Sequence, residues 1–435
     1  MAKSNTQKPM TRDVYLVDGA RTPFLKARGK PGLFSAIELA LGASKPLMLR
    51  QPFEASDLDE VIYGCMMPSE DEANIARVLA LRIGGGDKLT AYTVQRNCAS
   101  GMQAVDNAVR NISHGYADLI MAGGVDSMSR APLLLNSDMT HWLSGFYGAK
   151  TFGAKVKAIS KLRGPFFAPV IALMRGLTDP VVGLNMGQTA ENLAYRFNIS
   201  RTEMDQYSVD SHLRLTAAMK AGHLDEIEPL YDDKGNVYNE DDGVRPDSSV
   251  EKLAKLKPFF DKPYGKVTPA NSSQITDGAT SLIIASEDAI KKHGLTPIAK
   301  LNAAQWAGLS PAEMGLGPAH AISKTLEEHK LTQKNIDYWE INEAFAAQVQ
   351  ACVLALNDAD YCKNELGLSK TVGQIPEDRL NVDGGAVSLG HPVGTSGARI
   401  ILHLANTLQR ENAKKGIASL CIGGGQGGSM LVEAP

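Results

Sequence analysis

The chain has 435 residues, a formal net charge of -3 and 21% charged residues. This length is too great for one ordinary core, so two or three packed units are expected. The small net charge excludes a strong general attraction to nucleic acid, and no apolar run is long enough to span a bilayer. The 41 glycines are the unusual feature, because many of them lie beside residues that can carry chemistry.

The two ends of the chain and its cysteines indicate the cellular compartment in which the protein is expected. Residues 1–12 are polar and lack the apolar stretch of a secretory signal, and residues 431–435 contain no peroxisomal tripeptide. The sequence therefore predicts a cytoplasmic protein of bacterial type. Its widely spaced cysteines form no CxxC pair, which argues against a disulfide framework or a zinc site. The predicted free thiols are Cys65, Cys98, Cys352, Cys362 and Cys421.

Short apolar strands alternate with helical patterns along the chain, which is typical of an α/β architecture. The first strand is predicted at residues 13–18, before a loop at 20–23. A strand at 91–95, a helix at 101–112 and a buried strand at 118–124 follow in that order. The last of these strands ends in two glycines.

A similar order of elements recurs near the C-terminus. A helix is predicted from Ser396 to residue 408, and a strand at 418–424 again ends in glycines. Both predicted helices open at a Ser-Gly pair, the earlier one at Ser100. This repetition predicts two duplicated half-domains.

The region between the two halves has a different composition. Residues 138–185 are rich in aromatic side chains and contain six basic residues against two acids. Residues 187–222 have a helical pattern, with a capping box at Ser200 and Glu203. Residues 232–250 are acidic and turn-rich, which predicts exposure to solvent. We expect this region to form an inserted loop domain that covers the core.

Cys98 lies in the segment NCASG at residues 97–101, after a predicted strand and at the start of a predicted helix. The positive end of a helix favours a thiolate, and its free N–H groups can hold an oxyanion. Taken alone, a single cysteine is more often a buried structural residue.

His391 lies in a glycine-rich loop at residues 381–397. Histidine can take a proton from a thiol near neutral pH, and a Cys–His pair is the usual activated sulfur nucleophile. The other explanation is a histidine whose hydrogen bonds are satisfied within a turn.

Cys421 and Asn342 are two further candidate catalytic residues. Cys421 begins the run CIGGGQGG, which fits neither the Walker pattern nor the dinucleotide fingerprint. A thiol beside bare backbone suggests proton transfer to or from carbon. Asn342 can hold a water molecule and Glu343 can orient a neighbour, although the pair alone could simply begin a helix.

In their order along the chain, the segments at 97–101, 342–345, 390–397 and 421–427 resemble the signature blocks of the thiolases. Further matching blocks are ARTPF at 20–24, GGVDSM at 123–128, MGQTAE at 186–191 and NSSQITDG at 271–278. On these motifs the chain is identified as a member of that family over essentially its whole length. The resemblance implies the thiolase fold, an α/β fold of two duplicated half-domains in five layers (αβαβα) with an inserted loop domain.

The resemblance also implies a division of the chain into three parts. Residues 1–137 together with 251–290 would form the N-terminal half, which carries the nucleophilic cysteine. Residues 138–250 would form the loop domain over the active site. Residues 291–435 would form the C-terminal half, with the histidine and the second cysteine.

The resemblance implies a ping-pong acyl-transfer reaction with an acyl-cysteine intermediate. Cys98 would be the nucleophile, and His391 would deprotonate it and help to stabilise a thioester oxyanion. Asn342 would position a water molecule in that oxyanion hole, and Cys421 would be the acid and base at the substrate α-carbon. The backbone N–H groups of Cys98 and Gly423 would form a second oxyanion hole.

Coenzyme A would be a co-substrate, with no bound cofactor and no metal. The residues implied to contact CoA or to line the pocket are Ser273, Phe260, Met186, Met314 and Phe345. The chain departs from the family pattern at Gln274, where glycine is frequent, and at Asn185, where synthetic short-chain members often carry histidine. The second departure argues against an enzyme that makes acetoacetyl-CoA and favours a different contact with the pantetheine arm.

The long segment 138–185 resembles the extended loop of thiolases that serve as the β component of fatty-acid oxidation complexes. It predicts a contact with a membrane surface or with a hydratase/dehydrogenase α subunit, or else a simple solvated lid.

The family resemblance implies a homodimer at least. We expect a 3-ketoacyl-CoA thiolase of fatty-acid β-oxidation; the alternatives are an acetyl-CoA acetyltransferase that makes acetoacetyl-CoA and a non-enzymatic lipid-carrier relative.

Overall fold

The computed structural model describes residues 11–435, so most of the polar start at residues 1–12 lies outside the described residues. The strands are β1 Val14–Arg21, β2 Leu25–Lys26, β3 Glu60–Gly64, β4 Thr90–Val94, β5 Leu119–Ser127, β6 Leu133–Leu134, β7 Val170–Ile171, β8 Leu230–Tyr231, β9 Val237–Tyr238, β10 Thr276–Ser286, β11 Ala299–Leu301, β12 Gln305–Gly308, β13 Tyr338–Ile341, β14 Lys415–Ile422 and β15 Gln426–Glu433. The helices are α1 Ala36–Leu49, α2 Ile75–Arg82, α3 Ser100–Ser113, α4 Ser137–Gly148, α5 Phe152–Ile159, α6 Ala172–Gly176, α7 Met186–Arg196, α8 Arg201–Ala221, α9 Val250–Leu253, α10 Glu287–His293, α11 Gly317–Glu328, α12 Ala346–Asn357, α13 Ala359–Asn364, α14 Ala386–Leu389 and α15 Ser396–Arg410.

The large mixed sheet consists of two halves that meet at a short seam. Its strands follow the order β13-β14-β15-β11-β1-β10-β5-β3-β4, with β12 beside β15 and β2 beside β10. The halves are joined by the antiparallel pairing of β1 with β11, in which Tyr15 lies opposite Lys300 and Leu16 opposite Ala299. This seam is short, so side-chain packing supplies most of the contact between the halves.

Helices cover both faces of each half of the sheet. On β5, Ile120 and Ala122 belong to the central core that also contains side chains of α3 and α15. Leu119, Met121 and Val125 point to the opposite face, where α1 and α2 pack. In the other half, α11 and α12 cover the outer face of β13, β14 and β15. The order is therefore helix, sheet, helix, sheet, helix, which confirms the predicted five-layer α/β fold.

The first turns of α3 and α15 lie against each other at glycine residues. A Cβ atom on Gly101 would lie 2.9 Å from the backbone nitrogen of Ala398, and one on Gly397 would lie 2.5 Å from that of Met102. Only glycine allows backbones to approach this closely. The repeated Ser-Gly pairs therefore mark the contact between two helices with equivalent positions in the two halves.

Some predicted boundaries were wrong, for a common reason. Strand β1 runs on to Arg21 and β5 to Ser127, past the loop and the glycines that were expected to end them. Both strands continue because β10 pairs with them along its length, including Gly123 opposite Ser281. A side chain on Gly124 would collide with the carbonyl oxygen of Gly394, so this glycine makes room for the loop that carries His391.

The helical pattern predicted at residues 187–222 is confirmed. It consists of two helices, α7 and α8, and the predicted capping box at Ser200 and Glu203 begins the second of them. Gly222 ends α8 in the left-handed conformation, with φ of 73°. The proposed boundaries of the three chain parts stay a prediction.

Residues 138–185 form α4, α5, α6 and short connecting elements with many exposed apolar side chains. Trp142 and Phe146 stack on one another within α4, at 5.3 Å between ring centroids. Tyr147 is 77% exposed and Phe152 is 84% exposed. Within residues 11–435, no helix is both long enough and apolar enough to cross a bilayer.

The prediction that residues 232–250 are exposed was wrong at Asp241. This carboxylate is 1% exposed, and its two oxygens accept hydrogen bonds from Arg21 Nη1 and Nη2 at 2.7 and 2.9 Å. It also accepts the backbone N–H of Phe24 at 2.7 Å. A charge pattern cannot reveal this role, because the partner lies 220 residues away.

We expect Asp241→Ala to lower the free energy of unfolding by about 3–5 kcal/mol, because it leaves the Arg21 guanidinium buried without its main partner. Urea unfolding followed by circular dichroism measures the change. The neighbouring Glu240 is exposed, so Glu240→Ala serves as the control and should change the value by less than about 0.5 kcal/mol. Equal effects of the two substitutions would contradict this account.

Candidate active site

Cys98 lies in a tight turn between β4 and α3. Asn97 adopts a left-handed conformation with φ of 44°, and α3 begins two residues after the cysteine, at Ser100. Ser100 Oγ donates to the Asn97 carbonyl at 2.7 Å and accepts the Arg96 N–H at 2.9 Å. The turn therefore fixes the sulfur at the N-terminal end of α3, where it remains partly exposed.

Gly423 follows β14 and faces Cys98 from the other half of the molecule. Asn97 Nδ2 donates to the Gly423 carbonyl at 2.8 Å, which orients the peptide groups of this glycine. Burial raises the pKa of the Cys98 thiol, and the backbone N–H groups of Gly423 and of Cys98 itself act against that rise. Two N–H groups from different halves therefore point at one sulfur atom.

His391 is held by its backbone and by one ring nitrogen. Its N–H donates to the Gln274 carbonyl at 3.0 Å, and Nδ1 lies 2.7 Å from Ser396 Oγ. Ser396 Oγ donates its proton to the Pro392 carbonyl at 3.0 Å, so it accepts a hydrogen bond from the protonated Nδ1 of His391. The lone pair then lies on Nε2, which is buried and has no hydrogen-bond partner.

The charge state of His391 follows from this burial. Burial lowers the pKa of the imidazole to about 4, and the nearby Arg399 cation acts in the same direction. The ring is therefore neutral at neutral pH, and its unpartnered Nε2 can accept a proton.

Asn342 lies between β13 and α12 with an unsatisfied amide group. Its backbone N–H donates to the Ser419 carbonyl at 2.9 Å, which fixes the residue beside β14. Both Oδ1 and Nδ2 are buried without a partner. Buried amide groups are normally hydrogen-bonded, so this side chain is suited to hold a water molecule or a substrate atom.

Cys421 lies near the end of β14 and is fully buried. Burial raises the pKa of this thiol well above its ordinary value, and the neighbouring thiols of Cys98 and Cys352 raise it further. Cys98 therefore lies close enough to Cys421 to affect the pKa of its thiol. The second sulfur is protonated at neutral pH and can give a proton to a nearby carbanion.

The predicted pocket residues form one apolar wall next to Cys421. Met314, Phe345 and Cys421 belong to the same buried cluster, and Met186 and Phe260 pack against it. Phe260 and Phe345 meet edge to face, with ring centroids 6.1 Å apart.

Two glycine contacts and one backbone hydrogen bond connect this wall with the reactive residues. A Cβ atom on Gly423 would lie 3.5 Å from Met186 Sδ, while Phe260 occupies the space that a side chain on Gly187 would need. Ser273 donates its N–H to the Ala344 carbonyl at 2.9 Å, next to Phe345. These contacts bring Gly423, Cys421 and the apolar wall close to the turn that carries Cys98, between the two halves. That all ten residues singled out in the sequence surround one site stays a prediction.

Comparison with known proteins identifies the family of the chain. The chain matches the family models "Thiolase, N-terminal domain" at residues 14–288 and "Thiolase, C-terminal domain" at residues 295–434. The chain belongs to the thiolase family. It is therefore an acyltransferase with the thiolase fold, and thiolases use CoA as a substrate and need no metal.

Several known proteins are similar to this thiolase over 98% or more of its length. The chain is 36% identical over 434 residues to the mouse mitochondrial trifunctional enzyme subunit beta, covering 100% of this chain and 90% of the relative. It is 37% identical to the β-ketoadipyl-CoA thiolase of Pseudomonas knackmussii, with 98% and 100% covered. The crystal structure of human mitochondrial 3-ketoacyl-CoA thiolase in complex with CoA matches with a TM-score of 0.83 at 36% identity, over 98% and 99% of the two chains.

For three residues of this thiolase site, the structure shows hydrogen-bond partners that the sequence analysis did not name. Ser396 was noted only as a helix start, yet it fixes the tautomer of His391. Asn97 was quoted only as a neighbour of Cys98, yet it orients Gly423. The glycine-rich surroundings of both residues are the only sequence signal that could have drawn attention to them.

Glu343 is the third such residue, and it orients its neighbours as predicted. Its Oε1 accepts from Tyr207 Oη at 2.9 Å, and its Oε2 accepts from Ser211 Oγ at 2.7 Å and from the Val387 N–H at 3.1 Å. Val387 lies in α14, just before His391. Within residues 11–435, no cluster of three or more His, Cys, Asp or Glu side chains has the arrangement of a metal site.

Proposed function

We propose that this thiolase cleaves 3-ketoacyl-CoA with CoA, releasing acetyl-CoA and an acyl-CoA shortened by two carbons, in fatty-acid β-oxidation. The observation that carries the proposal is the juxtaposition of two thiols at the seam, one facing two backbone N–H groups and the other fully buried. The similarity to the trifunctional enzyme subunit beta supports the degradative direction.

The first half-reaction begins at Cys98. Its proton moves to His391 Nε2, and the thiolate attacks the 3-keto carbon of the substrate. The backbone N–H groups of Cys98 and Gly423 stabilise the oxyanion of the tetrahedral intermediate. The neutral state of His391 matters here, because an imidazolium could not accept the proton.

The carbon–carbon bond then breaks, and its electron pair goes to the α-carbon of the departing acetyl-CoA enolate. His391 Nε2 and a water molecule held by Asn342 stabilise the enolate oxygen. Cys421 gives its proton to the α-carbon, which forms acetyl-CoA and leaves Cys421 as a thiolate. Its high pKa in the resting state makes that thiolate a competent base for the next step.

The second half-reaction returns the enzyme to its starting state. A CoA thiol loses its proton to the Cys421 thiolate and attacks the acyl group on Cys98. The Cys98–acyl bond breaks, and the Cys98 sulfur takes back the proton held by His391. Ser273, Met186, Met314, Phe260 and Phe345 contact the pantetheine arm or line the pocket.

Assays across acyl lengths test the substrate and the direction. We expect thiolysis of a 3-keto-C16 thioester with a kcat/KM at least as high as that for acetoacetyl-CoA. Strict preference for acetoacetyl-CoA, together with its efficient synthesis from acetyl-CoA, would instead establish the short-chain acetyltransferase. The β-ketoadipyl-CoA thiolase among the relatives makes a dicarboxyl substrate a necessary control.

The proposed partners rest on the family resemblance and, for the α subunit, on the similarity to the trifunctional enzyme subunit beta. The chain is a homodimer at least, and a hydratase/dehydrogenase α subunit is its partner in the cytoplasm. The exposed aromatic and basic side chains of α4 and α5 contact an anionic membrane surface. Sedimentation with phosphatidylglycerol vesicles, but not with phosphatidylcholine vesicles, is the expected result. Sedimentation with neither would contradict the membrane contact and leave the α subunit or a solvated lid as the alternatives.

A further inference from the structure

His403 is a buried histidine outside the residues that touch substrate. It lies on the inner side of α15 and is 2% exposed. Its Nδ1 lies 3.1 Å from Glu226 Oε1, and its Nε2 lies 3.1 Å from Asp383 Oδ2. Carboxylate oxygens only accept hydrogen bonds, so both ring nitrogens must carry protons and the ring is an imidazolium.

The charged groups around His403 are consistent with a protonated imidazolium ring. Asp383 also accepts from Arg410 Nη2 at 2.7 Å and from the half-buried His223 Nδ1 at 3.0 Å. Glu226 also accepts from Arg21 Nε at 3.3 Å.

The neighbouring buried pair joins Arg399 to Glu340 at 3.1 Å. Ion pairs around His403 join the cations Arg21, Arg399, His403 and Arg410 to the carboxylates Glu226, Asp241, Glu340 and Asp383, and the network extends to His223 and Glu411. A neutral His403 would remove the cation that lies between the buried carboxylates of Glu226 and Asp383.

The contacts of His403 connect the two flanks of His391. Asp383 belongs to the loop that leads through α14 to His391 on its N-terminal side. His403 itself belongs to α15, which begins with Ser396, the hydrogen-bond partner of His391 on its C-terminal side.

The other carboxylate, Glu226, is anchored to the sheet. The backbone N–H of Arg21 in β1 donates to the Glu226 carbonyl at 2.7 Å, and the N–H of Glu228 donates to the Arg21 carbonyl at 2.8 Å. His403 thus fixes the loop before His391 and the helix after it to the same part of the sheet.

We infer that His403 is a cationic positioning residue that holds the loop and the helix on either side of His391 in the geometry needed for proton transfer from Cys98. The inference rests on the proposed roles of Cys98 and His391. Its physical basis is that a base must lie within hydrogen-bond reach of the proton it removes, and a displacement of about 1 Å costs about 10²-fold in rate.

The titration of the group agrees with this role. Burial alone would lower the pKa of His403, but Glu226 and Asp383 outweigh burial, and with a contribution from Glu340 they raise the pKa to about 10. The same contact lowers the pKa of Glu226 to about 2 against the effect of burial. The stabilisation from His403 is therefore complete below its ordinary pKa of 6.5 and is lost as the pH rises through about 10.

The test compares His403→Gln with Asp383→Asn in the full-length enzyme. The first removes the cation and keeps an amide donor; the second removes the anionic acceptor on the His391 loop and keeps a similar shape. We expect each to lower kcat for thiolysis by about 10–100-fold while KM changes less than about twofold. His114→Gln is the matched control, because the ring of His114 hydrogen-bonds only the Arg110 carbonyl of its own helix, at 2.8 Å.

The rate of Cys98 alkylation by iodoacetamide, measured against pH, separates positioning from stability. A displaced His391 should shift the pH midpoint of alkylation in both variants and leave it unchanged in His114→Gln. The inference is overturned if both variants keep the wild-type kcat and alkylation profile and differ only in melting temperature. Absence of thiolysis in the wild-type enzyme would instead remove the proposed function.

Discussion

Cys98→Ala is expected to lower kcat for thiolysis by about 10⁴-fold or more, because no other group can form the covalent acyl intermediate. The two backbone N–H groups and the pocket remain, so the variant should still bind CoA thioesters. The acyl group cannot move to Cys421 instead, since that thiol is fully buried and its pKa lies well above the ordinary value.

Mass spectrometry after incubation with acetyl-CoA measures this result directly. The wild-type chain should gain the mass of one acetyl group, and the Cys98→Ala chain should gain none. Cys362→Ala is the matched control, because Cys362 is also a buried free thiol but lies on α13, where its sulfur contacts the carbonyl groups of Ala355 and Leu356. An acetyl adduct that persists on Cys98→Ala would remove the cysteine from its proposed role.

Cys421→Ala is expected to separate acyl transfer from carbon–carbon chemistry. The variant keeps Cys98 and both N–H groups, so Cys98 should still accept an acyl group from a thioester. Cleavage of a 3-ketoacyl-CoA should fall by about 10³-fold, within the range for loss of one general acid and base. Synthesis in the reverse direction should fall to a similar extent, because the same thiol must remove the α-proton.

Two measurements on the same sample check this separation. Acetyl adduct formation should persist, while exchange of the α-protons of acetyl-CoA with deuterated water should stop. Cys362→Ala is again the control, because Cys362 is a buried thiol on α13 whose sulfur contacts the carbonyl groups of Ala355 and Leu356 and does not affect the pKa of Cys421. Normal thiolysis by Cys421→Ala would show that another group protonates the α-carbon.

The sequence was most informative where backbone geometry and chemistry coincide. The segments around Cys98, His391 and Cys421 contain glycines that allow close contacts. The glycines that define these motifs in the sequence are therefore also the ones that the backbone contacts require. The Gly101 and Gly397 contact explains why the two Ser-Gly pairs signalled equivalent helices. Local capping at Ser200 and Gly222 was also predictable, because each depends on residues nearby in the chain.

Long-range pairing accounts for what the sequence could not reveal. Strand β5 continues past its glycines because β10, about 150 residues later, pairs with it. Asp241 and His403 look like ordinary members of an acidic loop and an amphipathic helix. Their partners become visible only when the chain is folded, since Arg21 lies 220 residues from Asp241, and Glu226 and Asp383 lie 177 and 20 residues from His403.

The seam between the two halves has a consequence for any attempt to divide the enzyme. Under the proposed roles, the nucleophile Cys98 belongs to one half and the base His391 to the other, and the first turns of α3 and α15 touch through bare backbone. Fragments that end between β10 and β11, produced separately, should each be inert, and mixing them should restore turnover only if the two helix ends dock again. Under the proposed roles, catalytic competence belongs to the joined pair and not to either half alone.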